Sequence, residues 1–282
     1  MELSRGKAGQ IAWRWVLMIG LVVATLSGSG AAVEPTDAAD AHPSRPSPRT
    51  VEQLRVEVIN SYPHDPTAFT QGLELHNGVL YEGTGLYGQS EIRTVDPWTG
   101  QVTRRVPLPE GVFGEGITLV GDHIWQLTWQ EGTAYLRDRN TLTQVGQASY
   151  TGEGWGLCYD RHTRRLVMSN GSAELTFRDP RSFHPTGSVT VTLNGEPVYN
   201  INELECVNGM VWANIWLEDR IVRIDPRTGA VTAVVDASGL LTAEERANAD
   251  VLNGIAAVPG GDTFLITGKL WPRMFLVRFV PA

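Results

Sequence analysis

With 282 residues, 42% of them hydrophobic, the chain is long enough for one large core, and a single all-β domain of this size is ordinary. A formal charge of −8 excludes a nucleic-acid partner, because phosphate binding needs a basic face. Two cysteines are too few for a disulfide framework, and no run of like charge is long enough for an interaction tail.

In chain order, Arg5, Lys7 and Arg14 come first, followed by the apolar run Trp15 to Leu26 and the small residues Ser27 to Ala32. A basic start, an apolar stretch and a small-residue exit predict a secretory signal peptide over residues 1–32. The run is short for a membrane span, and a retained single anchor is the rival reading. No Cys follows it, which excludes a lipoprotein. Pro35, Pro43, Pro46 and Pro48 among Ala, Ser and Asp predict a disordered linker over 33–50. The expected location is exported, periplasmic or secreted, with no membrane contact once the leader is removed.

Leu54 to Asn60 alternates apolar and polar residues, as a half-buried strand does. After it the chain repeats itself five times. The repeats open at Gln71, Glu115, Trp155, Asn202 and Asn253, separated by 44, 40, 47 and 51 residues. Each has a polar residue or Trp, usually a Gly, a short apolar strand, a turn, and a second apolar strand. Further strands follow, such as Glu91 to Val95 and Arg220 to Ile224. Between them lie turns of the type Asp96-Pro97-Trp98-Thr99-Gly100 and Asp225-Pro226-Arg227-Thr228-Gly229. Asp caps such a turn, Pro presets φ and Gly takes the exit, so these aspartates are structural.

Four strands per repeat and a period of roughly 40–50 residues predict a five-bladed β-propeller over 51–282. The fifth repeat has only three strands, at Asn253–Val258, Thr263–Thr267 and Arg273–Val280. The strand at Leu54 supplies the fourth and closes the ring by pairing N- and C-terminal strands. Thr242-Ala243-Glu244-Glu245 is a capping-box pattern and predicts one short rim helix near 242–249. Cys158 aligns with Glu74 and Cys206 with Leu75 in the repeat. Adjacent strand positions point to opposite faces, so the two thiols are expected to diverge.

In a propeller the first strand of each blade lines the axis. The residues opening these strands are Gln71, Glu115, Trp155, Asn202 and Asn253. Those ending the second strands, at the same rim, are Gly85, Trp129, Gly171, Trp216 and Lys269. One acid, one lysine, three amides and three tryptophans are therefore expected to converge, as a small-molecule pocket requires. Singly, a buried Trp packs blades and an Asn beside Gly satisfies backbone; the joint placement is what points to a site. Other constellations are weak. The six histidines form no HExxH pattern, and there is no Gly-x-Ser-x-Gly elbow or phosphate loop.

The segments Tyr62 to Leu73, Tyr81 to Ser90 and Phe113-Gly114-Glu115-Gly116 resemble signatures of the plant-type glutaminyl-peptide cyclotransferases. So do Gln126 to Trp129, Gly152 to Leu157, Asn202 to Glu205, Val211 to Trp216, Leu252 to Ile255 and Thr267 to Pro272. The resemblance runs in order from about Val58 to the C-terminus. It implies a five-bladed propeller that turns an N-terminal glutamine of peptides or proteins into pyroglutamate, releasing ammonia, with no catalytic metal; a monomer without a cofactor is expected. It makes Glu115 the acid/base and assigns Phe69, Gln71, Phe113, Trp129, Trp155, Asn202, Trp216 and Lys269 to the substrate pocket. One departure stands out: Asn170 occupies a position where the family usually has Asp.

For such a reaction one carboxyl group can carry the proton from attacking to leaving nitrogen, and aromatic walls would keep it in its acid form. Gln71 and the Trp155 indole N–H are the expected oxyanion donors. Asn202 and Lys269 are expected to fix the substrate carbonyl, or Lys269 to tune Glu115. The alternatives are a propeller that binds peptide N-termini without catalysis and a calcium-dependent lactonase, which needs several acids at the axis.

Overall fold

The computed structural model describes residues 50–282. The expected leader, and all of the expected linker but Thr50, lie outside the described residues. The described chain is all-β, with one helical turn. The first strand, β1 (Glu52–Pro63), is followed by a four-stranded sheet of β2 (Thr70–His76), β3 (Val79–Thr84), β4 (Glu91–Val95) and β5 (Val102–Pro107). A second comprises β6 (Gly114–Val120), β7 (His123–Thr128), β8 (Thr133–Asp138) and β9 (Gln144–Ser149). A third comprises β10 (Leu157–Asp160), β11 (Arg165–Met168), β12 (Glu174–Arg178) and β13 (Pro185–Thr190). A two-stranded ribbon, β14 (Thr192–Leu193) and β15 (Glu196–Pro197), lengthens the next connection.

The remaining strands are β16 (Ile201–Val207), β17 (Met210–Ile215), β18 (Arg220–Ile224), β19 (Val231–Asp236), β20 (Leu252–Ala257), β21 (Thr263–Gly268) and β22 (Arg273–Pro281). They form one eight-stranded sheet with β1 at its centre, in the order β16-β17-β18-β19-β1-β22-β21-β20. As the alternation at Leu54 predicts, β1 pairs antiparallel with the C-terminal β22, from Leu54 opposite Pro281 to Pro63 opposite Arg273. It also pairs in parallel with β19, Glu52 opposite Ala233, which the sequence pattern does not foreshadow. The expected rim helix is a single turn, α1 (Ala243–Arg246), with Thr242 and Glu245 forming the capping box. Among the described residues no helix is long and apolar enough to cross a membrane.

The aspartate turns behave as their composition dictates. Asp96 Oδ1 accepts from Trp98 N and Thr99 N, and Asp179 Oδ1 from Arg181 N and Ser182 N. The exit position has φ near +70° at Gly100 and Gly229. Leu142 and Phe183 take the same left-handed conformation in two other turns, and both are buried. Core burial there offsets a backbone cost of roughly 1–2 kcal/mol.

The first strands β2, β6, β10 and β16 pack successively on one another, and β20 packs on both β16 and β2. The glycines after the repeat openings permit this approach. A Cβ on Gly72 would lie 2.5 Å from Ile117 N, and one on Gly116 2.6 Å from Trp155 O. First strands also leave inner-edge N–H groups unpaired, and buried carboxylates accept them. Glu74 accepts from Leu119 N (2.7 Å), Glu203 from Ile255 N (2.9 Å) and Glu205 from Ala257 N (2.9 Å). The arrangement is consistent with a propeller.

One expectation is overturned. Cys158 and Cys206 form a disulfide, with Cα atoms 5.4 Å apart. Cys158 lies on β10 and Cys206 on β16, the first strands of successive sheets. Stacked sheets meet with opposite faces, so positions that point opposite ways within the repeat point toward each other across the interface. Alternation read within one sheet had the sign reversed for a pair between two.

Candidate active site

Four repeat openings carry the same backbone irregularity. Register shifts interrupt the ladder at Thr70/Gly72, Gly114/Ile117, Ile201/Leu204 and Leu252/Ile255. A bulge releases a residue from pairing and re-aims its side chain. The re-aimed residues are Gln71, Glu115, Asn202 and Asn253, all buried. Gln71 Nε2 donates to Glu115 Oε1 (3.1 Å), and Asn253 Nδ2 donates to Gln71 Oε1 (3.3 Å) and to Thr70 O (2.9 Å). Three expected rim residues thus form one chain across three sheets. Asn202 is 3% exposed, and its Oδ1 has no hydrogen-bond partner.

Glu115 is 4% exposed. Burial holds its carboxyl group well above the usual carboxylate range. Lys269 opposes that shift, while the like charges of Glu153 and Glu131 add to it. Lys269, just past β21, is also 4% exposed. Burial lowers its pKa against the pull of Glu115 and Asp250. Its Nζ stands 4.7 Å from the centroid of the Phe69 ring, a cation–π contact.

Aromatic rings wall this polar chain. Phe69 meets Phe113 edge-on (6.1 Å between centroids), and Phe113 meets Trp129 (5.5 Å) and Tyr87 (5.3 Å). Trp155 and Trp216 form a second edge-on pair at 5.6 Å. The two glycines read at second-strand ends seat these rings. A Cβ on Gly85 would overlap the Phe113 ring, and one on Gly171 would lie 2.7 Å from Trp155. Every expected pocket residue but Asn202 therefore has a neighbour from the expected set, through a hydrogen bond, a ring contact or charge. Asn202 adjoins the set through the backbone, because its carbonyl lies where a Cβ on Gly156 would be.

The structure departs from expectation in two places. The Trp155 indole N–H, expected as a free donor, gives its hydrogen to Glu153 Oε2 (2.9 Å). Glu115 is not alone, since Glu131 and Glu153 are close enough to shift it. Neither acid occupies a repeat-opening or strand-end position, so the symmetry reading passed over both; only the flanking Gly152 and Gly154 hinted at Glu153. Asn170 is exposed, and its Oδ1 accepts from Ser172 N (3.1 Å) and Ser172 Oγ (2.6 Å). An Asp there would accept the same bonds. Among the described residues no group of three His, Cys, Asp or Glu side chains is placed to hold a metal ion.

A cavity of about 830 Å³ lies at the opposite ends of the first strands, lined by Glu74, His76, Tyr159, Glu205 and Cys206. None of the expected site residues lines it.

A buried carboxyl group whose pKa is raised, beside amides and an ammonium and within aromatic walls in an all-β chain, is the kind of perturbed cluster that marks a functional site. The model of the glutamine cyclotransferase family matches residues 26–279, and the chain belongs to that family. It is 39% identical over 233 residues to a glutaminyl-peptide cyclotransferase of Arabidopsis thaliana, covering 80% of this chain and 72% of the relative. The crystal structure of Myxococcus xanthus glutaminyl cyclase superposes with a TM-score of 0.75 at 40% identity. That match covers 83% of this chain and 100% of the other.

Proposed function

We propose that the protein converts the N-terminal glutamine of peptides into pyroglutamate with release of ammonia, on a five-bladed propeller spanning 51–282. The observation that carries the reading is Glu115, buried, with its pKa raised well above the usual carboxylate range and hydrogen-bonded by Gln71, in a chain of the glutamine cyclotransferase family.

The substrate's α-nitrogen attacks the side-chain amide carbon, forming the ring C–N bond and then breaking the bond to the leaving nitrogen. Holding the glutamine folded makes the attack intramolecular. The amine attacks in its neutral form, which is accessible because its pKa is about 8. Glu115 gives its proton to the leaving nitrogen and takes one from the attacking nitrogen, so it ends as it began. The Gln71 amide, which has a second N–H, stabilises the oxyanion. Asn202 and Lys269 bind the substrate's polar backbone, and the aromatic walls of Phe69, Phe113, Trp129, Trp155 and Trp216 exclude water. The Cys158–Cys206 bridge supports export, because disulfides persist in oxidising compartments.

The test is mass spectrometry of a Gln-initiated peptide incubated with the protein, with and without chelator. Loss of one ammonia under both conditions is expected. Glu115→Gln is expected to lower turnover at least ~100-fold with the fold kept. A variant at near-wild-type rate removes Glu115 from the mechanism. No ammonia loss from folded wild type would leave a binding protein.

A further inference from the structure

Glu153 stands in the loop before β10, outside every position the repeat marks. Its Oε2 accepts from two indoles, Trp129 Nε1 (2.9 Å) and Trp155 Nε1 (2.9 Å). Its Oε1 accepts from Gln130 Nε2 (3.0 Å). Trp129 follows β7 and Trp155 precedes β10, so one carboxylate joins the walls of two successive sheets. The backbone beneath it is held as firmly. Gly154 N donates to Trp129 O (2.9 Å), and a Cβ on Gly154 would overlap the Tyr150 hydroxyl.

We propose that Glu153 is the positioning residue of this site: it ties Trp129 and Trp155 into one wall and presents a fixed negative charge to Glu115. The inference rests on the cyclotransferase reading and deepens it.

An indole N–H needs only an acceptor, and a backbone carbonyl would satisfy it without bringing a charge into the site. The charge has a use of its own. The attacking amine is neutral only toward pH 8, where an ordinary carboxyl group has lost its proton. Acid and amine coexist in their working forms only if the acid is held up. The groups facing Glu115 are Gln71 from β2, Lys269 from the end of β21, Glu131 from the loop after β7, Glu153, and the phenols of Tyr87 and Tyr150. Lys269 favours the ionised form. Burial, Glu131 and Glu153 favour the acid. Glu131 Oε1 accepts from the Tyr87 hydroxyl (3.2 Å) at the edge of the wall, whereas Glu153 is the member of that set that accepts from the indoles of two sheets, so its position is fixed with the tryptophans.

Two variants of the whole chain separate charge from tether. Glu153→Gln keeps an oxygen for the indoles and removes the charge. Glu153→Ala removes both. The carboxyl-stretch band of Glu115, assigned by its loss in Glu115→Gln, is titrated by difference infrared spectroscopy in wild type and both variants. The midpoint is expected to fall by roughly half a pH unit or more in each. The alkaline limb of kcat on a Gln-initiated peptide should move down with it, because the acid form is lost sooner. KM is expected to rise about tenfold in Glu153→Ala and clearly less in Glu153→Gln, since only the first frees the indoles. An unchanged Glu115 midpoint in both variants, or equal KM values in the two, would overturn the proposal. The infrared titration needs no turnover. If wild type formed no pyroglutamate, the cyclotransferase reading would fail while the band still decided whether Glu153 acts on Glu115.

Discussion

The Cys158–Cys206 bridge offers the most direct quantitative test of the fold. Its cysteines are 48 residues apart, and it ties the first strands of two successive sheets. Closing a loop of that length removes about 14 cal/mol/K from the unfolded chain, or about 4 kcal/mol at 25 °C. For a domain of this size the loss corresponds to roughly 8–16 °C in Tm. The variant is Cys158→Ala/Cys206→Ala, measured by equilibrium urea unfolding against wild type. The midpoint should fall and the m-value rise, because an uncrosslinked chain exposes more surface when unfolded. Activity below the transition should stay within about twofold. Cys206 lies four residues beyond Asn202 on β16, roughly 13 Å along the strand. A loss below about 1 kcal/mol would refute the entropic argument. A tenfold drop in kcat/KM with the fold intact would show that the bridge and the pocket are coupled.

Two further outcomes follow from buried groups. His64 is buried with Nδ1 2.7 Å from Trp271 O and Nε2 3.0 Å from Glu82 Oε1. Both partners are acceptors, so the site favours the imidazolium, which can donate from both ring nitrogens. Burial disfavours that charge, but Glu82 outweighs it and the pKa is raised. A raised folded pKa means the stabilisation is complete below about pH 6.5 and is lost as pH rises through the folded value. Urea midpoints should therefore fall from about pH 6.5 upward, and His64→Phe should flatten that slope while costing about 3 kcal/mol at pH 6. An identical slope in the variant would exclude His64 as its source. Gly85→Ala would drive a methyl group into the Phe113 ring, displacing the wall over Gln71 and Glu115. The expected loss in kcat/KM is about 10–100-fold on a Gln-initiated peptide, against a small change in Tm; wild-type kinetics would mean that Phe113 does not position substrate.

Much of this protein is legible in one dimension. Repeat spacing places the strands, the aspartate turns declare themselves by composition, and the capping box marks α1. These are local features, decided by periodicity and by side chains reaching a few residues along the chain. The repeat also marks Gln71, Glu115, Asn253, Trp129, Trp155, Trp216 and Lys269, because equivalent positions in stacked repeats come to the same end. What the tertiary structure alone decided lies between sheets. Cys158 and Cys206 meet because neighbouring sheets present opposite faces to one another. Strand β1 serves two neighbours, β19 and β22, where the pattern accounts for one. Glu153 has no place in the repeat, yet it collects the indoles of two sheets and charges the surroundings of Glu115. Periodicity states which way a side chain leaves its own strand. Which group it finds there depends on how the sheets stack, and that is set by packing across the whole molecule.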